Sequence, residues 1–258
     1  MANPSVVQAG DNGASLVTSG SSCSPLGRGG TAGVNTTIGN SVVLFIYCSP
    51  GHPVTSVVSG IGTFSYIGSI ATLGIQNPFG TGTTDVEIWG CPSVTGAAKT
   101  VTVSTTGANN YIASAYEIAN ASSLSYAGSN SASSGTNASL VFTGLTVGSL
   151  CLGLTNNGAV VSTAPPGWTS YNGSGGQFTY GNGLDTAYIT AASSIETATW
   201  TMPSQNWYTI GVVALVAAPS FAPSQPPRSF TAVSRAANWM KRETGLWSPE
   251  SGLRPRLA

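Results

Sequence analysis

The sequence predicts an all-β protein: an antiparallel β-sandwich of jelly-roll type, built as two pseudo-repeated halves and followed by an extended C-terminal arm containing a short helix. Three observations lead there. Short stretches alternate β-branched or aromatic residues with small polar ones, as at 101–105 and 111–118. Turn signals rich in Gly, Asn, Ser and Pro recur at intervals of about ten residues, the strand spacing of a sandwich. Phrases from the first half also return in the second: DVEIW from Asp85 as DTAYI from Asp185, SVVLFIYC as SLCLGL, and TVTV as TATW.

Taken in order, residues 1–40 are rich in Gly, Ser and Thr, with an edge strand expected at 15–18. Residues 41–48, SVVLFIYC, are apolar almost throughout and read as a central strand buried on both faces. A turn at 49–53 leads to strands at 54–59 and 64–73, a glycine-rich loop at 77–82 and the strand from Asp85. Residues 100–119 read as a hairpin: a Thr/Val strand, a Gly/Asn turn and an Ala/Tyr/Ile strand. The Ser-rich stretch 122–135 reads as a surface connection. Strands follow at 139–142 and 149–154, then a Pro-Pro-Gly turn, strands near Trp168 and Phe178, and the Asp185 strand. A second hairpin at 197–217 would turn at Pro203–Asn206. The interleaved spacing favours one jelly roll over two tandem sandwiches.

Residues 1–218 form the expected body and 219–258 the arm. Pro219, Pro223, Pro226 and Pro227 make the start of the arm extended. Residues 229–243 read as a short helix, with Ser229 as its N-cap, Phe230, Val233, Ala237 and Met240 on one face, and Gly245 as its stop.

Charged residues make up only 6% of the chain, which, with ordinary apolar content, argues against charge-driven disorder. Their placement is uneven. The body carries two basic and six acidic residues, a net −4, and the arm a net +4. The four cysteines lack CxxC spacing, and His52 is the sole histidine, so no zinc site is expected. Disulfides and buried free thiols both remain open. The N-terminus has neither the basic nor the apolar region of a secretory signal, and the longest apolar runs fall short of the roughly 20 residues of a membrane helix. Synthesis in the cytosol without membrane contact is the expectation.

Enzymatic signatures are sparse, and no cofactor is expected. Asp85 and Glu87 lie at i and i+2, hence on one strand face, as the paired carboxylates of glycoside hydrolysis would. A solvent-facing strand surface accounts for them more simply. His52, between Gly51 and Pro53, reads as an exposed loop residue. Trp89, Trp168, Trp200 and Trp207 could stack on sugar rings, although aromatic residues in strands more often fill the core. Basic residues concentrated in one arm, away from aromatic strands, argue against nucleic-acid binding.

The ordered series GNSVVLFIY, DVEIWGC, KTVTVST and YIASAYEIA, followed by GSLCLGL, TATWTM and TIGVVALVA, resembles a β-sandwich module of bacteriophage virion structural proteins over residues 38–218. The resemblance implies a non-enzymatic virion protein, assembled in the host cytoplasm, and transfers no catalytic residue. The expected role is decoration or cementing of the outer capsid. The arm would hold the major capsid protein or other virion subunits through Phe230, Trp239, Met240 and Trp247 as apolar anchors. Arg235, Lys241, Arg242, Arg254 and Arg256 would be its charged partners. Self-association and a surface glycan are further partners, the latter under the alternative of a receptor-binding tail or fibre module.

Overall fold

The computed structural model describes residues 2–11, 17–26, 33–48, 51–71, 75–77, 80–82, 85–107, 110–157, 163–170 and 183–217. These residues form strands in antiparallel sheets, and no helix among them is long and apolar enough to cross a membrane. The expected arm, with its helix, lies outside the described residues.

The first half contributes β1 (Ser5–Asp11), β2 (Val17–Thr18), β3 (Ser22–Cys23), β4 (Ser41–Cys48), β5 (Val54–Ser59) and β6 (Ser65–Ala71). It continues with β7 (Ile75–Asn77), β8 (Gly80–Gly82), β9 (Asp85–Cys91), β10 (Val101–Thr105) and β11 (Asn110–Ala119). The second contributes β12 (Ala121–Thr143), β13 (Leu150–Asn157), β14 (Thr169–Ser170), β15 (Gly183–Thr190) and β16 (Ile195–Ala217).

The main sheet of the first half has the order β1-β11-β4-β9-β6, and that of the second β12-β16-β13-β15-β14. In chain order within each half, both read first-fifth-second-fourth-third. The pseudo-repeat seen in the sequence is therefore a repeat of strand order. The smaller sheet β3-β10-β5 of the first half has its counterpart too. The far end of β12 pairs with the near end of β16, and an isolated bridge between Thr163 and Thr201 stands where β5 meets β10. Pro165 and Pro166 follow that bridge and have no N–H to donate, so the ladder does not continue past it on that side.

Apolar side chains place these sheets in layers. On β4, Val42, Leu44 and Ile46 face one core with Val101 and Val103 of β10, while Val43, Phe45 and Tyr47 face the other. That second core joins the halves, for Leu150, Leu152 and Leu154 of β13 and Val213 and Leu215 of β16 fill its far side. A third core lies on the opposite face of the β13 sheet, around Cys151, Trp168, Ala187 and Trp200. The fully buried SVVLFIYC strand expected from the sequence is found as β4.

Several expectations need correction. Residues 100–119 are not a hairpin: β10 pairs with β5 and β3, β11 with β4 and β1, so the two strands belong to different sheets. No turn interrupts 197–217, which is one strand, β16. The Ser-rich 122–135 stretch is not a loop but part of β12, paired along β16 with register shifts near residues 122, 127, 134 and 136. Such shifts bend a strand and sharpen its twist. They let one ribbon serve two layers, with 121–132 beside 208–217 and 137–143 beside 195–201. The stretch expected as a glycine-rich loop at 77–82 holds β8 and the last residue of its partner β7, and β1 has no counterpart in the expected strands.

Candidate functional site

Glu87 departs most from expectation. It is 5% exposed, not solvent-facing. β9 alternates, sending Val86 and Ile88 into the core between the halves and Glu87 to the opposite face, toward the smaller sheet. There its Oε1 accepts the Val54 N–H at 2.8 Å and its Oε2 accepts Trp89 Nε1–H at 2.9 Å. The carboxylate thus fastens the first backbone amide of β5 to β9. The side chain of Asp85 lies outside the described residues, and the repeat places Ala187 at the position of Glu87.

Glu117 plays a similar part at the other end of that face. Its Oε1 accepts Thr37 N–H and Asn40 Nδ2–H, each at 2.7 Å, and its Oε2 accepts Gln8 Nε2–H. A buried carboxylate surrounded by donors is stable because each lone pair lost from water is replaced. These acids act as clamps on backbone and amide groups.

His52 Nδ1 lies 2.6 Å from the Thr106 carbonyl oxygen and donates to it, tying one loop to another. Cys23, Cys48, Cys91 and Cys151 are buried thiols that form no disulfide. Burial, followed by the charge of Glu196, pushes the Cys151 thiol up to about 12, so it stays protonated at neutral pH and is a poor nucleophile. Burial likewise raises Cys23 and Cys91, against hydrogen bonds to Tyr111 and Ser93 that lower them. No group of three or more His, Cys, Asp and Glu among the described residues could hold a metal ion.

Of the four tryptophans proposed as sugar platforms, Trp168 and Trp200 are core residues packed against each other with ring centroids 5.7 Å apart. The side chain of Trp207 lies outside the described residues. Trp89 is half-buried, and its ring meets Tyr66 edge-on at 6.0 Å and 76°. Phe230, Arg235, Trp239, Met240, Lys241, Arg242, Trp247, Arg254 and Arg256, the expected partner contacts, all lie outside the described residues.

Tyr66 leads to a feature that the expectations omitted. A groove of about 340 Å³ opens between β6 and β9 of the first half and β12 of the second. Tyr66 and Tyr126 line it, 54% and 36% exposed. A sequence signal for it existed: SYIGS at 65–69 and SYAGS at 125–129 are the same phrase, and SYNGS at 170–174 repeats it a third time. Residues 171–174 of that third copy lie outside the described residues.

Comparison of the chain with protein-family models, with curated proteins and with solved structures finds no match in any of the three.

Proposed function

We propose that this chain is a non-enzymatic structural protein of a bacteriophage virion, most simply a decoration or cement protein of the outer capsid. In place of the single jelly roll expected from the strand spacing, the twice-repeated strand order favours a body of two jelly-roll-like β-sandwiches in tandem, with residues 219–258 as the arm that holds it to the particle. The repeated strand order carries the reading. Two copies of one β unit share a continuous apolar core, and Glu87, its best candidate acid, is committed to holding strands together. Such a body suits a rigid spacer that presents a Ser/Thr/Gly surface. The net +4 of the arm against the net −4 of the body supplies a basic segment for acidic grooves on a shell.

The test is co-assembly. Full-length chain and a chain ending at residue 218 are each co-expressed with the major capsid protein, and particles are isolated by sedimentation. The full-length chain is expected to sediment with particles and the shortened chain to remain in the supernatant as a folded protein. A shortened chain that joins particles as well as the full one, or a full-length chain that never joins them, overturns the proposal.

A further inference from the structure

The groove at the seam between the halves is built from both copies of the SYxGS phrase. β6 supplies Ser65, Tyr66 and Ile67, and β12 supplies Leu124, Ser125 and Tyr126, with Gly90 and Pro92 between them. Gly90 makes the floor possible. A Cβ there would lie 2.5 Å from both Ile67 Cδ1 and Leu124 Cδ1, closer than any pair of carbons tolerates. Without it the two aliphatic chains meet over bare backbone.

Both tyrosine rings are held before any ligand arrives. Tyr66 is braced edge-on by Trp89. The Tyr126 ring lies against Gly68, whose absent Cβ would come within 3.0 Å of it, and its hydroxyl donates to the Ser69 carbonyl at 3.4 Å. The phenols are near neighbours: burial raises Tyr126 above its ordinary range, a hydrogen bond with Ser129 works against this, and Tyr66 adds to the rise.

The lining is chemically selective. It offers two exposed aromatic rings, serine hydroxyls and a small aliphatic floor, and no charged side chain. An anionic or cationic ligand would lose hydration here without gaining a counter-charge. At about 340 Å³ the groove sits at the low end for small-molecule sites. A ligand with an apolar face, a rim of neutral hydroxyls and the size of one or two sugar rings satisfies every wall. We propose that this groove binds a neutral glycan, with Tyr66 and Tyr126 as stacking platforms and Ser65 and Ser125 as hydroxyl partners. This inference does not depend on the virion reading, since the site lies wholly within residues 65–126.

The experiment uses the full-length chain on an array of neutral oligosaccharides, with sialylated and sulfated ones alongside, followed by calorimetric titration of the best binder. Neutral glycans are expected to bind in preference to charged ones. Tyr66→Ala should weaken the best of them about tenfold, the loss of one well-placed aromatic contact. Tyr66→Phe should keep most of the affinity. Ser65→Trp, which fills the groove without removing any core side chain, should abolish binding while the thermal melt stays unchanged. Binding of no neutral glycan, a preference for charged ones, or affinity that survives both Tyr66→Ala and Ser65→Trp would overturn the assignment.

Discussion

Gly153 and Trp200 show how one strand order accommodates two different cores. Gly153 pairs with Ala187 as Ile46 pairs with Glu87, so the Asp85/Asp185 repeat puts Gly153 at the position of Ile46, and matching TATW to TVTV puts Trp200 at that of Val103. The first half fills this space with an isoleucine and a valine, both fully buried. The second fills it with an indole over a glycine: a Cβ on Gly153 would stand 2.5 Å from Trp200 Cη2 and 2.8 Å from Trp168 Cζ3. Volume is conserved across the pair although neither residue is. Gly153→Ala is therefore expected to destabilise the protein by about 1–3 kcal/mol, as overpacking does, read as a lower urea midpoint. Combining Gly153→Ile with Trp200→Val should cost less than the two single changes added, because each relieves the other's misfit. Strict additivity would show that the two positions do not share the space.

Among the elements, β11 and β12 matter most, since the halves join between them at the single residue Asn120. Asn120 is the one non-glycine residue with positive φ among those described, at 62°. Asparagine tolerates this left-handed conformation better than other residues with a side chain, and its Nδ2 donates to the Asn3 carbonyl at 3.4 Å. Asn120→Gly is expected to leave stability nearly unchanged, whereas Asn120→Val should lose about 1–2 kcal/mol through backbone strain. Equal melting temperatures for the two variants would contradict this. The strands themselves were largely legible beforehand: β4, β5, β9, β10 and β13 fall where alternation and turn residues put them. The Ser-rich part of β12 was not, because Ser, Gly and Asn have low strand propensity and are held in the ladder by the partner strand β16 rather than by any preference of their own.

Across the whole molecule, the two inner sheets cover each other. Tyr116 of β11 reaches across the seam: its hydroxyl bonds Thr186 Oγ1 of β15, and its ring meets Tyr188 edge-on at 6.4 Å. Val43, Phe45, Ile88, Leu150, Leu152 and Leu215 are fully or nearly fully buried only because the other half is present. Residues 1–218 should accordingly unfold in a single cooperative transition, with calorimetric and van't Hoff enthalpies equal. Two resolved transitions, or a soluble folded first half expressed alone, would show that the halves are independent. The groove also belongs to this scale, since neither half forms it alone.

The sequence by itself determined the all-β class, the place of most strands and the presence of a repeat. All three reside in local patterns, where side-chain period and turn chemistry act within a few residues. Only the tertiary structure decided which strands pair, that 100–119 spans two sheets, that Glu87 is buried, and that two SYxGS phrases sixty residues apart face one groove. A strand edge can pair with any other, and a strand face is exposed or buried according to the layer that covers it. Both are properties of contacts between distant residues, which a local pattern does not encode.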